Sequence, residues 1–188
     1  MAVREALVTL TAISGDTVAT MIKTMMLGAI MWTAACGTDE VETSTASATF
    51  TGTNGQTVAG TAKFTLSGSA VTMTATFTAG PAGVHGVHIH NVPMCGNEGM
   101  DAGPHWDDAD TSATGHGLPG AGHLGDTGNV TIDAAGAGTF SYSNPEWTLG
   151  DGGLKDVLNR GMIFHEKMDD GTMPSAGLRW GCGTIAMD

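Results

Sequence analysis

Seven side chains of metal-ligand type, six imidazoles and one carboxylate, constrain this chain more than any other feature. They occur in His88-Ile89-His90, in Gly103-Pro104-His105, in the run His116-Gly117-Leu118-Pro119-Gly120-Ala121-Gly122-His123-Leu124-Gly125-Asp126, and in Ile163-Phe164-His165. Imidazole and carboxylate bind zinc, copper, iron and nickel. Seven ligands exceed what one ion normally takes, so the count points to two metals side by side. A fold that uses them must bring a pair two residues apart, a glycine-rich run and a distant segment to one place.

The rest of the sequence supplies a β scaffold for this. Thr, Ser, Val and Ala recur in alternation, and Gly is abundant at 29 of 188 residues. Strands are expected at 48–53, 57–66, 71–77, 84–90, 129–133, 138–142, 160–165 and 178–186. Asn54-Gly55 is a strong hairpin signal, and Ala134-Ala135-Gly136 reads as a short turn. Residues 154–159 have room for one helical turn. Eight short strands between turn signals fit a sandwich or a Greek-key barrel. Residues 91–128 show no periodicity and run far past the usual loop length. Long loops on β scaffolds are usually functional, and most candidate ligands lie in this one.

Side chains at i and i+2 of a strand share a face. His88 and His90 therefore project together, and His85 points the other way, into a packing or hydrogen-bonding role. His165 offers a third imidazole from another strand. His116, His123 and Asp126 are spaced so that a glycine-rich loop can fold them onto one ion. Three imidazoles with a carboxylate suit closed tetrahedral zinc; an imidazole-only set suits copper. Joining the two sets needs a shared ligand, and His105 lies between them. Met94 and Met100, which flank Cys95, offer soft contacts to Cu(I) or simply pack; packing is the expectation.

Charge and cysteine usage exclude several classes. The formal net charge is −12, from 7 basic and 19 acidic residues, which disfavours nucleic acid and anionic membrane surfaces as partners. Cys36, Cys95 and Cys182 form no CxxC pair, so neither a zinc finger nor a thioredoxin-type site is indicated. Residues 1–36 are read as an upstream segment plus an export signal. Lys23 is a positive n-region, 25–32 an apolar run, and Thr33-Ala34-Ala35 the small residues before Cys36. The run is well short of the ~20 residues a spanning helix needs. A Cys at this point resembles a lipoprotein cleavage site, with Cys36 the lipidated first residue; a plain secretory signal is the alternative. Met1 and Met21 both stand as starts. Residues 37–47 are polar and acidic and read as a flexible tether, with the folded domain at 48–188.

Five segments in order resemble the copper/zinc superoxide dismutase family, of the bacterial periplasmic or lipoprotein type. They are Gly83-Val84-His85-Gly86-Val87-His88-Ile89-His90, Ala102-Gly103-Pro104-His105, His123-Leu124-Gly125-Asp126, His165-Glu166-Lys167 and Arg179-Trp180-Gly181-Cys182-Gly183. The resemblance covers roughly residues 48–188. It implies an eight-stranded Greek-key β-barrel, an immunoglobulin-like sandwich with long metal-binding loops. It implies copper on His88, His90, His105 and His165, and zinc on His105, His116, His123 and Asp126, with His105 bridging. Asp169 would link a copper-binding and a zinc-binding histidine, Cys95 and Cys182 would form a disulfide, and Arg179 would stand beside the copper channel. The implied activity is dismutation of superoxide to O2 and H2O2, with Arg179 and His105 as the catalytic pair. The alternative is a non-catalytic periplasmic copper/zinc-binding or copper-storage protein. The implied location is the periplasm or cell envelope, through a lipid anchor to the outer membrane if Cys36 is acylated; a homodimer is left open. One departure is the short segment 170–178, which contains no Lys or Arg to guide an anion.

Overall fold

Alternation of small or apolar residues with Thr, Ser and Lys builds one half of the barrel. A computed structural model describes residues 43–107 and 115–188. Strand β1 (Thr43–Gly52) turns Ala46, Ala48 and Phe50 inward, β2 (Ala59–Ser67) turns Ala62 and Phe64, and β3 (Ala70–Ala79) turns Val71, Met73, Ala75 and Phe77. The register sets Ala48 opposite Ala62 and Ala62 opposite Ala75. This row of small side chains leaves room for the phenylalanines beside it. Phe50 and Phe77 lie 4.9 Å apart by ring centroid, and Phe77 and Phe164 5.0 Å. On the outer face Thr72 and Thr74 hydrogen-bond to Ser143 and Ser141 of β6 (Gly138–Asn144). Asn54 and Gly55 both have positive φ, at 53° and 71°, as the Asn-Gly signal requires.

The other half is buried on both faces. In β4 (Gly83–His90) every residue from His85 to His90 is buried, and so is all of β7 (Gly161–His165). One face packs on the core through Val87, Ile89, Met162 and Phe164. The other is covered by loops and carries His88, His90, Ile163 and His165. With β5 (Asp126–Ile132), β8 (Arg179–Thr184) and the short β9 (Ala186–Met187), the antiparallel order is β5-β4-β7-β8-β1-β2-β3-β6, and β9 pairs with β1. The two ends of this order, β5 and β6, are consecutive in sequence and lie side by side, so the sheet curls into a nearly closed Greek-key barrel.

Two local differences from the sequence reading have physical causes. β1 begins at Thr43, inside the stretch read as a tether, because Ser44–Ser47 pair with β2 and Ala46 is fully buried. Residues 154–159 form successive turns rather than a helical turn. The buried Asp156 carboxylate draws the backbone N–H groups of Gly150, Gly152 and Leu158 around itself, and Asn159 takes a positive φ. The export signal, Cys36 and most of the tether lie outside the described residues. Among the described residues no helix is long and apolar enough to cross a membrane.

Candidate metal centre

Strand parity places the first imidazoles. His88 and His90 leave β4 on the loop-covered face, while His85 leaves on the core face. There it stacks on Phe164 at 4.6 Å, with its ring nitrogens 3.0 Å from the carbonyl oxygens of His165 and Pro81. His85 is thus structural, as its parity requires. His165 ends β7 on the same side as His88 and His90.

The long loop returns along β4. Asn91 N–H donates to the Pro104 carbonyl, Trp106 N–H to Ile89, and Ile89 N–H to Gly125. These bonds set His105 in a bridge beside His90. Gly125 is required here, since a Cβ would sit 2.1 Å from the Ile89 oxygen. Gly122 is required too, because its Cβ would lie 2.2 Å from Asp126 Oδ2. All seven ligand candidates come together in two sets that share His105. One set is His88, His90, His105 and His165; the other is His105, His116, His123 and Asp126. Within each set one ligand atom from every residue lies within 4.8 Å of the others.

Partners outside the sets decide which ring nitrogen is bare. His90 Nδ1 donates to the Gly103 carbonyl at 2.8 Å, leaving Nε2 bare. Asp169 serves both sets: Oδ2 is 2.9 Å from His88 Nε2, and Oδ1 is 3.0 Å from His116 Nε2. That leaves Nδ1 bare on both rings. Such outer partners fix tautomer and ring orientation at metal sites. Both ring nitrogens of His88 and His165, together with His90 Nε2, His116 Nδ1 and His123 Nδ1, are buried with no hydrogen bond; at His88 Nε2 the Asp169 carboxylate approaches as an ion-pair partner. Buried polar atoms are normally satisfied, so converging bare nitrogens are what a metal would occupy. Asp126 completes the second set, with Oδ1 2.5 Å from His105 Nδ1 and Oδ2 accepting the N–H groups of Gly117 and His123. The donor chemistry fits copper in the all-imidazole set and zinc in the set with a carboxylate.

Electrostatics keep these groups ready to ligate. Burial, then neighbouring imidazoles and Arg179, hold His90 and His165 well below the usual histidine range. Burial takes His105 down to about 4, although Asp126 opposes the shift. Burial pushes the Asp169 carboxyl upward, but hydrogen bonds from His88, the Gly171 N–H and His116 outweigh it and hold the group far below the usual carboxylate range. Asp126 is likewise lowered, its burial outweighed by the bond from His105.

A cavity of about 610 Å³ opens beside the shared histidine, lined by His105, His165 and Arg179 among others. Arg179 is fixed at its wall, donating from Nη1 to the Gly99 carbonyl and from Nη2 to Gly103, each at 2.7 Å. Gly99 belongs to an irregular 3-10 segment, Asn97–Ala102. The Cys95–Cys182 disulfide ties the start of this segment to β8, with a Cα–Cα distance of 5.7 Å.

The model of the copper/zinc superoxide dismutase (SODC) family matches residues 58–185. The chain belongs to the copper/zinc superoxide dismutase family. Copper and zinc are the metals this family implies, and the two sets fit them. The extracellular Cu-Zn superoxide dismutase of Caenorhabditis elegans is 34% identical over 137 residues, 67% of this chain and 60% of the nematode protein. The Cu-Zn superoxide dismutase A of Xenopus laevis is 35% identical over 114 residues, 55% of this chain and 72% of that one. The crystal structure of the clock protein EA4 superposes with a TM-score of 0.65 at 26% identity, covering 77% of this chain and 94% of that one.

Sequence reasoning missed two supports of the centre. Asn129 clamps Asp169 from both sides, donating to its carbonyl at 2.9 Å and accepting its N–H at 2.8 Å. Gly103 offers one carbonyl to both His90 and Arg179. Neither carries a compositional signal. The packing role expected of Met94 and Met100 is not what the fold shows. They are 52% and 56% exposed, Met94 just before the 3-10 segment and Met100 within it.

Proposed function

We propose that this chain dismutates superoxide to O2 and H2O2, with copper held by His88, His90, His105 and His165 and zinc by His105, His116, His123 and Asp126. Bound in the all-imidazole set, copper would supply the one-electron couple that dismutation needs, and zinc in the other set would supply fixed charge without redox change. The observation that carries the reading is one imidazole, His105, shared by two sets of otherwise bare nitrogens beside a cavity with a fixed guanidinium. Arg179 attracts the anion and orients it, since its two bonds to carbonyls hold the charge at the cavity wall. Forming H2O2 consumes two protons. His105 Nδ1 faces Asp126, so Nε2 is the atom that can hold one of these protons and give it to the peroxide product, the second coming from solvent. Asp169 keeps His88 and His116 aligned while His105 does so. The segment 170–178 adds no cation, so among the described residues lining the cavity Arg179 carries the positive charge that draws the anion.

Elemental analysis of the saturated, desalted protein tests this reading. One copper and one zinc per chain are expected. A single metal ion per chain would defeat the shared-histidine arrangement.

The same reading places the protein outside the cytoplasm. The pattern of residues 23–36 is that of an export signal, the related nematode protein is named as extracellular, and a disulfide such as Cys95–Cys182 persists in oxidising compartments. We assign it to the periplasm or cell envelope, anchored through an acylated Cys36. Membrane fractionation with mass spectrometry of the mature amino terminus decides between an anchor and a plain secretory signal. An unmodified terminus on a soluble protein would remove the anchor.

A further inference from the structure

Two methionines line the metal cavity. Met100, from the 3-10 segment, and Met173, from the segment before β8, both line the cavity that reaches His105 and His165. They are 56% and 71% exposed, whereas the core methionines Met73 and Met162 are fully buried. Met94, Met168 and Met187 are similarly exposed and do not line the cavity, so it is position at the cavity, not exposure, that sets Met100 and Met173 apart. A thioether differs from any other apolar group in being a soft donor that selects Cu(I), while the harder zinc prefers imidazole, carboxylate or thiolate.

Selection matters in this geometry. The two donor sets share His105 and stand within one cavity, so zinc can also enter the all-imidazole set. Imidazoles alone bind either metal. A thioether pair on the route in admits Cu(I) and disfavours zinc before the imidazoles are reached. Among the described residues, Glu98 is the acidic group lining the same cavity, and its carboxylate offsets the charge that Arg179 presents to an incoming cation.

We infer that Met100 and Met173 form a Cu(I) capture site at the cavity mouth, which passes copper inward to His105 and His165. The inference rests on the copper reading of the all-imidazole set. It requires no redox step, only ligand exchange of Cu(I) from thioether sulfur to imidazole nitrogen.

The test uses full-length, zinc-loaded, copper-free protein. Cu(I) is supplied from its coloured bathocuproine disulfonate complex, and uptake is followed as loss of the complex's absorbance. Cu(II) is supplied separately as the glycinate. Met100→Leu, Met173→Leu and the double variant keep the apolar volume and remove the sulfurs. In the double variant Cu(I) uptake should slow on the order of tenfold, as when a supporting ligand is lost, with unchanged Cu(II) uptake and unchanged final copper content. X-ray absorption of samples frozen early in Cu(I) uptake should show copper–sulfur scattering in the wild type and not in the double variant. Unchanged Cu(I) uptake in the double variant would overturn the inference, and so would equal slowing with Cu(I) and Cu(II). A wild type that never retains copper would instead overturn the copper reading itself, and the inference with it.

Discussion

Replacing Asp169 by alanine strikes both metal sets without touching a ligand. The carboxylate is buried and meets His88 Nε2 at 2.9 Å and His116 Nε2 at 3.0 Å. Oδ1 also accepts the Gly171 N–H at 2.8 Å and the Ser175 hydroxyl at 3.0 Å. Removal strips the His116 N–H of its acceptor and His88 Nε2 of its close anionic partner. Each buried polar group left without a partner costs ~1–3 kcal/mol, so the metal-free domain should lose about 2–6 kcal/mol of stability. Each freed ring can also turn or change tautomer, and loss of such an outer partner typically weakens metal binding 10–100-fold, or about 1.4–2.7 kcal/mol per ion. Copper and zinc affinities are read separately by competition with chelators of known strength, and stability by denaturant unfolding. Asp170→Ala is the matched comparison. Asp170 is exposed and its carboxylate serves Thr172, so it should stay within about 0.5 kcal/mol of wild type. If Asp169→Ala holds both metals as tightly as Asp170→Ala, the carboxylate does not orient the imidazoles and the reasoning fails.

Arg179→Gln should slow dismutation about tenfold at low salt with copper content unchanged, and the gap should narrow as added salt shortens the Debye length from ~10 Å at 0.1 M to ~3 Å at 1 M. Lys63→Glu, an exposed change on β2 away from the cavity, should have little effect; equal slowing by both would show that Arg179 does not guide the anion. Cys182→Ser opens a covalent loop of 87 residues and should cost about 4–5 kcal/mol in the chain-entropy model, measured by urea unfolding, and an unchanged midpoint would contradict it. In the metal-free domain His105 is lowered to about 4 from 6.5, so between those values the unfolded chain binds the extra proton. Its stability contribution is complete above about pH 6.5 and is lost as pH falls toward 4, on the order of 3 kcal/mol, with His90 and His165 acting in the same direction. Unfolding midpoints that rise on acidification would refute this.

The barrel was legible because period-two patterning is a local signal. Ala48 and Phe50, and Val71-Met73-Ala75-Phe77, announce their inward faces, and the same parity separates His85 from His88 and His90, whereas Ala46 was hidden in a polar, acidic stretch. The ligand sets were legible as residues and not as geometry. Residues 91–128 have no period, and their course along β4 depends on backbone bonds such as Trp106 to Ile89, which no composition encodes. The Asn129 clamp and the shared Gly103 carbonyl stayed hidden for the same reason, since one amide or one carbonyl looks like any other in sequence. Residues 154–159 misled because their helix-compatible letters are overruled by the Asp156 carboxylate. Met94 and Met100 misled because packing is the usual fate of methionine, and only the surface course of the chain from 94 to 100 shows them exposed.

The central claim is that the paired sets around His105 turn over superoxide. Superoxide generated by pulse radiolysis and followed by its ultraviolet absorbance, with the copper- and zinc-loaded protein at catalytic concentration, measures this directly. The decay should be first order in protein, proportional to copper occupancy, and abolished in copper-free, zinc-loaded protein. Decay no faster than spontaneous dismutation at full occupancy of both metals would contradict the account and leave a metal-binding protein without this activity.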